Sequence, residues 1–496
     1  MRSITFLASC IAAVSSFAAA ELNISQPLLS RQVLPSSFKP PQVFKNANLV
    51  RTTMLEKGYA RDVINVVIEN IDSKPQSEYY VPFETSLLAK VGCFEVRDKK
   101  ALEKDPFRVE VVAFDEESST EFYKIHLPVP LEPNQQQVLR ISYSVLSSLI
   151  PVPAEIGQNE KQYLQYTFSA YVPSAYATEK QKTNVKFPSG DVPDYTKLPT
   201  ELNSENKPDP QKQGSTFSYG PYENIPAGAE EFVSVRYEFT KPVTHVTQLE
   251  RDLEVSHWGG NLATEERYWL ENRGAHLKGQ FSRVEWQKSA YMNPPTAALK
   301  ALGFPLHSGA VDPYFTDDIG NVSTSRFRPG KKESALELKP RYPIFGGWKY
   351  SFRVGWNADL STYLRKLSTG DSYILRVPFL EGPRQPEGIE YARVQLRVIL
   401  PEGATNVRYS TSIPLIESST SMHRTFMDTL GRTSLTLTAI NVVDDFRDRG
   451  LIVTYDYPWT ASFRKPIVIT VGMLAIFAAT WLIGSIDTSI GKKKAA

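Results

Sequence analysis

The chain has 496 residues, and 56 Lys+Arg against 54 Asp+Glu give it a formal net charge of +2. That balance argues against a nucleic-acid coat, which needs a basic excess, and against an acidic disordered chain. Two cysteines exclude a disulfide scaffold and a multi-cysteine zinc module, while 41% apolar and 11% aromatic residues are enough for a large core.

In chain order, residues 1–20 read as a cleaved signal peptide. Arg2 supplies the positive start, Ile4 to Val14 the apolar stretch, and Ala18-Ala19-Ala20 the small residues before a mature start at Glu21. Beyond it, apolar and polar residues alternate in short runs. Leu139, Ile141, Tyr143 and Val145 form one, and Val233, Val235, Tyr237 and Phe239 another. Tyr350, Phe352, Val354 and Trp356 form a third, and Val394, Leu396, Val398 and Leu400 a fourth. A period of two marks half-buried strands, and many short strands with few helices predict a mainly β protein of antiparallel sandwich-like domains.

Between the strands, residues 199–215 (PTELNSENKPDPQKQGS) hold one aliphatic residue, Leu202, and three prolines. This composition cannot bury a core and predicts a mobile loop. A domain boundary is placed near residue 240, giving β-rich domains over 21–240 and 241–465. No short-period repeat is visible. Two helices are expected, over Pro294–Gly303, with proline at its start and glycine at its end, and over Asp359–Leu367.

Pro466 to Ile486 carries 21 residues without a charged side chain. At about 1.5 Å per residue such a helix spans the roughly 30 Å hydrocarbon core of a bilayer. Together with a cleaved signal it predicts a single-pass type I protein, with a cytosolic tail over 487–496. Within the helix, Gly472, Ala475 and Ala479 share one face, and small residues there let a partner helix approach closely. Lys493 and Lys494, third and fourth from the end, resemble a dilysine retrieval address of endoplasmic reticulum membrane proteins.

Catalytic chemistry does not announce itself. His126, His245, His257, His276, His307 and His423 form no metal-ligand spacing, and there is no G-x-S-x-G elbow or phosphate loop. Cys93, the one cysteine of the mature chain, reads as a buried thiol. Asp317-Asp318 and Asp444-Asp445 are acidic pairs, but adjacent residues on a strand face opposite ways, so no metal is assigned to either. The sequence thus assigns no catalytic residue, no metal and no cofactor. Two N-x-S/T acceptors occur: Asn321, in a polar turn context, is expected to carry a glycan, and Asn23 is left open.

Several strings carry a family resemblance: Ser256-His257-Trp258-Gly259, Gly274 to Arg283, Asp318 to Ser325, Pro340 to Lys349, Leu400 to Ala404 and Asp428 to Arg432. In this order they resemble ribophorin I, the large non-catalytic subunit of the oligosaccharyltransferase complex. The resemblance implies two lumenal β-rich domains and one membrane helix in the endoplasmic reticulum membrane. It also implies a supporting role in moving a preassembled oligosaccharide from dolichyl diphosphate to Asn of N-x-S/T in nascent proteins. The implied partners are a polytopic catalytic glycosyltransferase subunit, a small membrane subunit that packs on the helix, other subunits of the complex, nascent polypeptides and the lipid bilayer, with no nucleic acid. Catalysis in that family belongs to a subunit with a WWDYG motif, which this chain lacks. The 199–215 segment and the ten-residue tail depart from the animal members. The competing expectation is a membrane-anchored cargo receptor or chaperone for glycoproteins.

Overall fold

The computed structural model describes residues 31–486 apart from residues 36, 115–117, 293, 369 and 426–427. The signal peptide, Asn23, the tail and its Lys493 and Lys494 lie outside the described residues. The predicted mainly β class is what the structure shows. The four apolar runs all lie on strands, two of them ending one residue past the strand at Phe239 and Leu400, with their apolar members buried; Val394, Leu396 and Val398, for instance, are fully so.

The sheets repeat. A seven-stranded sheet in the first half has its strands in the order, by first residue, Gln211, Thr216, Thr178, Phe44, Ala60, Gln136, Val91. In the second half an eight-stranded sheet runs Glu417, Arg432, Ile389, Thr244, Asn261, Lys349, Val311, and then adds the short strand Gly320–Asn321. Ranked along the chain, the first seven members of each have the same order. The packed sheets repeat as well: strands starting at Arg108, Thr120 and Gln76 correspond to those at Arg326, Glu333 and Leu302. Those at Asp194, Phe232, Tyr163 and Ile150 correspond to Thr405, Gly450, Ser372 and Leu364.

Each half is organised around a long antiparallel hairpin, Phe44–Met54 with Ala60–Asn70 and Thr244–Ser256 with Asn261–Asn272. Each hairpin has a bulge at the same place, between Asn46 and Asn48 and between Val246 and Gln248. Each accepts a parallel strand on its first arm, Thr178–Lys186 and Ile389–Ile399. Each ends in a buried asparagine that ties the hairpin to the facing layer. Asn70 Nδ2 donates to Leu131 O at 2.7 Å, and Asn272 Nδ2 to Ala297 O at 2.8 Å and Ile344 O at 3.0 Å. An amide there satisfies carbonyls that no ladder reaches.

The apolar cores divide near the same point. One extends from Phe44 to Val243, and the other from Val246 to Ala461, with Tyr59 and Leu146 lent by the first half.

Three local expectations meet a different structure. Pro294–Gly303 is not helical. Ala297 O is taken by Asn272, Leu299 exchanges backbone bonds with Ile344, and Leu302–His307 is a strand. The helix of this region is Arg283–Met292. Asp359–Leu367 becomes a single 3₁₀ turn, Leu360–Thr362, capped by the Asp359 carboxylate on Ser361 N at 2.8 Å, followed by the strand Leu364–Lys366. In 199–215 the composition argument covers only apolar burial, and the segment is held by polar contacts instead. Asp209 and Asn203 are buried, and Asp209 accepts from Gly220 N and the Tyr222 hydroxyl. Asn203 donates to Gly220 O, and Gln211–Gln213 pairs with the neighbouring strand.

Candidate functional site

The junction of the halves holds a cluster of charged and polar side chains. The turn after Met54 projects Lys57, whose Nζ donates to Asp444 Oδ2 at 2.9 Å and Asp445 Oδ1 at 2.7 Å. Tyr59 Oη donates to Asp444 Oδ1 at 2.7 Å, and Arg61 pairs with Asp445. Burial alone would lower the Lys57 pKa, but the two aspartates outweigh it and hold the amine above its ordinary value. The Asp444-Asp445 pair is thus filled by the chain's own cations. Nearby, Glu390 accepts from Ser147 N at 2.9 Å and faces His245 Nδ1 at 2.7 Å, and both side chains are buried.

Cys93 lies in the same junction, with its Sγ 3.6 Å from Asn441 O. Burial pushes its thiol up to about 12, so it is not a thiolate nucleophile at neutral pH. A junction cleft of about 570 Å³ opens beside Gly92, Cys93, Ile416 and Ile440.

Asp317, His126 and His257 are engaged separately. Asp317 accepts from Arg341 and from Tyr350 Oη at 3.1 Å. His126 sits 3.1 Å from Glu110, which also pairs with Lys124. Burial works against the Glu110 carboxylate, but His126 and Lys124 overcome it and hold its pKa down to about 2. His257 packs among Tyr373, Tyr455 and Tyr457, with Nε2 2.8 Å from Tyr455 Oη, and burial lowers its pKa to about 4. Among the described residues no group of three or more His, Cys, Asp or Glu is arranged to hold a metal ion.

At the far end, Arg464–Ser485 is a helix long and apolar enough to cross a membrane, and among the described residues nothing buries its apolar stretch. Gly472, Ala475 and Ala479 lie on it, exposed, and a Cβ added at Gly472 would meet nothing within 4 Å. The helix base is tied to the second half by Lys465 Nζ, 3.5 Å from the buried Asp428. Trp258, at the tip of the second hairpin, lines a small cleft with Arg464 and Lys465 and is exposed, as is Trp459. Asn321 is exposed on the strand that the second half adds to the common sheet order.

Sequence reading missed one pair of residues, Arg51 and Arg251. Both are buried on the first arm of a hairpin. A signal was present 200 positions apart, in Leu49-Val50-Arg51 and Leu249-Glu250-Arg251, and 202 positions apart, in Ile68-Glu69-Asn70 and Leu270-Glu271-Asn272. Two such short strings do not stand out without the fold.

Comparison with known proteins places the chain. A protein from Schizosaccharomyces pombe named dolichyl-diphosphooligosaccharide–protein glycosyltransferase subunit 1 is 29% identical over 444 residues, covering 89% of this chain and 95% of its own length. The subunit 1B of the same name from Arabidopsis thaliana is 30% identical over 482 residues, covering 96% of this chain and 100% of its own. Among solved structures, an M1 zinc metallopeptidase from Deinococcus radiodurans aligns over 42% of each chain at 13% identity with a TM-score of 0.25. The family described as Ribophorin I matches residues 44–484, which takes in both repeated halves and nearly all of the apolar helix; the chain belongs to the ribophorin I family.

Proposed function

We propose that this chain is a non-catalytic subunit of the oligosaccharyltransferase complex. It supports transfer of a preassembled oligosaccharide from dolichyl diphosphate to Asn of N-x-S/T in nascent proteins by stabilising the complex and facing substrate. The observation that carries this reading is the family match across 44–484, joined to relatives of nearly equal length that bear the subunit 1 name. The interior chemistry supports it, since the perturbed acids and bases described above are spent on contacts within the chain.

In this reading the chain is a single-pass type I protein of the endoplasmic reticulum membrane. Residues 21–240 and 241–465 are two lumenal domains, a division supported by the repeated sheet order and the split cores. The helix lies in the bilayer, and its uncovered Gly472/Ala475/Ala479 face receives a small membrane subunit near the polytopic catalytic one. Trp258 and Trp459 sit at the helix base, at the depth where aromatic rings favour the membrane–water interface. Asn321 carries a glycan, and Lys493 and Lys494 act as the retrieval address.

Mild-detergent purification followed by identification of stoichiometric partners tests the proposal. A polytopic glycosyltransferase should co-purify, and acute depletion should leave secreted glycoproteins under-occupied. A lumenal segment that binds glycoprotein clients with no stoichiometric membrane partner would instead make the chain a cargo receptor.

A further inference from the structure

The repeat gives this protein an internal comparison. Arg51 and Arg251 stand at the same position of the two hairpins, each five residues after the first residue of the bulge. Across the hairpin, Arg51 faces Ile64 and Arg251 faces Glu266. On the parallel side they face Thr183 and Leu396. Their exposures are 3% and 1%. A guanidinium so placed carries five N–H donors and a full charge out of water, and needs acceptors for them.

In the second half the fold supplies two carboxylates. Arg251 pairs with Glu266 across the hairpin and, through Nη2 at 2.7 Å, with Glu381, which follows the strand Ser372–Pro378. The first half supplies neither. Ile64 stands in the place of Glu266. The corresponding strand, Tyr163–Ser169, offers the Ser169 carbonyl to Arg51 Nη2 and the face of the Phe168 ring, 5.2 Å from the guanidinium carbon, but no carboxylate. Nε is buried without a partner in both arginines, so the contrast lies at the Nη groups, where Arg251 meets two carboxylates and Arg51 one carbonyl. Asp62, Glu84 and Glu230 line the cleft beside Arg51, but Thr53 and Tyr143 donate their hydroxyls to Asp62 and no ion pair joins any of the three to Arg51. Open space replaces the missing groups, in a cleft of about 230 Å³ lined by Arg51, Asp62, Ile64, Tyr143, Tyr166 and Phe168.

We propose that this cleft binds a carboxylate through Arg51, with the aromatic rings covering the body to which the carboxylate is attached. The second half shows what chemistry satisfies an arginine at this position. One bound carboxylate gives Arg51 the kind of ionic partner that Arg251 obtains from its own chain. The volume lies below the range of drug-sized pockets, so it suits one side chain or one small acid. An acidic side chain of a polypeptide and a free organic acid share this chemistry. The site stands whether or not the chain works in the proposed complex.

The test titrates the full-length chain in detergent, by calorimetry, with three probes: N-acetyl-glutamyl amide, its glutaminyl counterpart and phenylacetate. At least one carboxylate should bind and the glutaminyl amide should not, and the tighter acid names the source. R51M should weaken binding by about tenfold or more, the loss of one charge-assisted contact. I64E places a carboxylate where Glu266 stands in the other half, so it should abolish probe binding and raise the thermal midpoint. R51K substitutes for R51M if the latter does not fold. Equal binding of amide and acid, no binding of either acid, or wild-type affinity in R51M or I64E overturns the proposal.

Discussion

Lys57 Nζ lies 2.7 Å from Asp445 Oδ1, and this contact crosses between two halves that repeat the same sheet order. With Tyr59, Arg61 and Asp444 it forms a clamp in which two anions meet two cations and a phenol. Such a network, partly shielded from water, is worth more than an isolated surface pair.

Replacing both carboxylates, D444N with D445N, leaves Lys57 and Arg61 without anions. The double variant should lose about 1–2 kcal/mol of stability, read as a lower denaturant midpoint. An unchanged midpoint would show that the clamp is solvated and idle.

His257 sets a pH dependence. Burial lowers its folded-state pKa to about 4 from an ordinary 6.5, so between these values the unfolded chain binds more protons than the folded one. Its contribution is whole above about pH 6.5 and is lost as the pH falls toward 4. The stability of H257N should fall less steeply than that of the wild type across this window. Titration of His257 near 6.5 in the folded protein would sink the idea.

Arg251 is buried with Glu266 and Glu381. R251A leaves two buried carboxylates without their cation and should cost about 3–5 kcal/mol, the range for breaking a buried pair. The check is the thermal midpoint set beside that of an exposed control, R326A. A loss no larger than the control's would mean that water reaches the glutamates.

At Gly92 the backbones of the two halves run close together. A Cβ there would overlap the backbone carbonyl of Asn441, whose side chain in turn donates to Ala89 O at 2.8 Å and Val91 O at 3.1 Å. G92A should therefore destabilise by about 1–3 kcal/mol through overpacking and open the junction to limited proteolysis. Wild-type protease resistance would argue for a compliant seam.

Asn321 is exposed on an added edge strand and should carry the glycan. N321Q should remove one glycosidase-sensitive step in gel mobility while leaving the thermal midpoint nearly unchanged. No mobility difference between N321Q and wild type would show that the acceptor is unused.

Strands were legible where one face is buried and the other wet. Val233, Val235, Tyr237 and Phe239 are all buried, while Ser234 and Arg236 are not. The apolar helix was legible because length and lack of charge are local properties. Pro294–Gly303 misled because alanine and leucine favour a helix only when nothing distant competes for their carbonyls, and Asn272 competes for that of Ala297.

The sequence by itself determined the mainly β class, the membrane-length helix, the N-x-S motif at Asn321 and the family, since each is written in adjacent residues or in ordered strings. Only the tertiary structure decided that the halves share one sheet order, that Asp444 and Asp445 are spent on Lys57 and Arg61, and that Arg51 lacks the acids Arg251 has. These facts depend on which strands become neighbours. Pairing joins residues up to hundreds of positions apart, and alternation along one strand carries no record of the strand beside it.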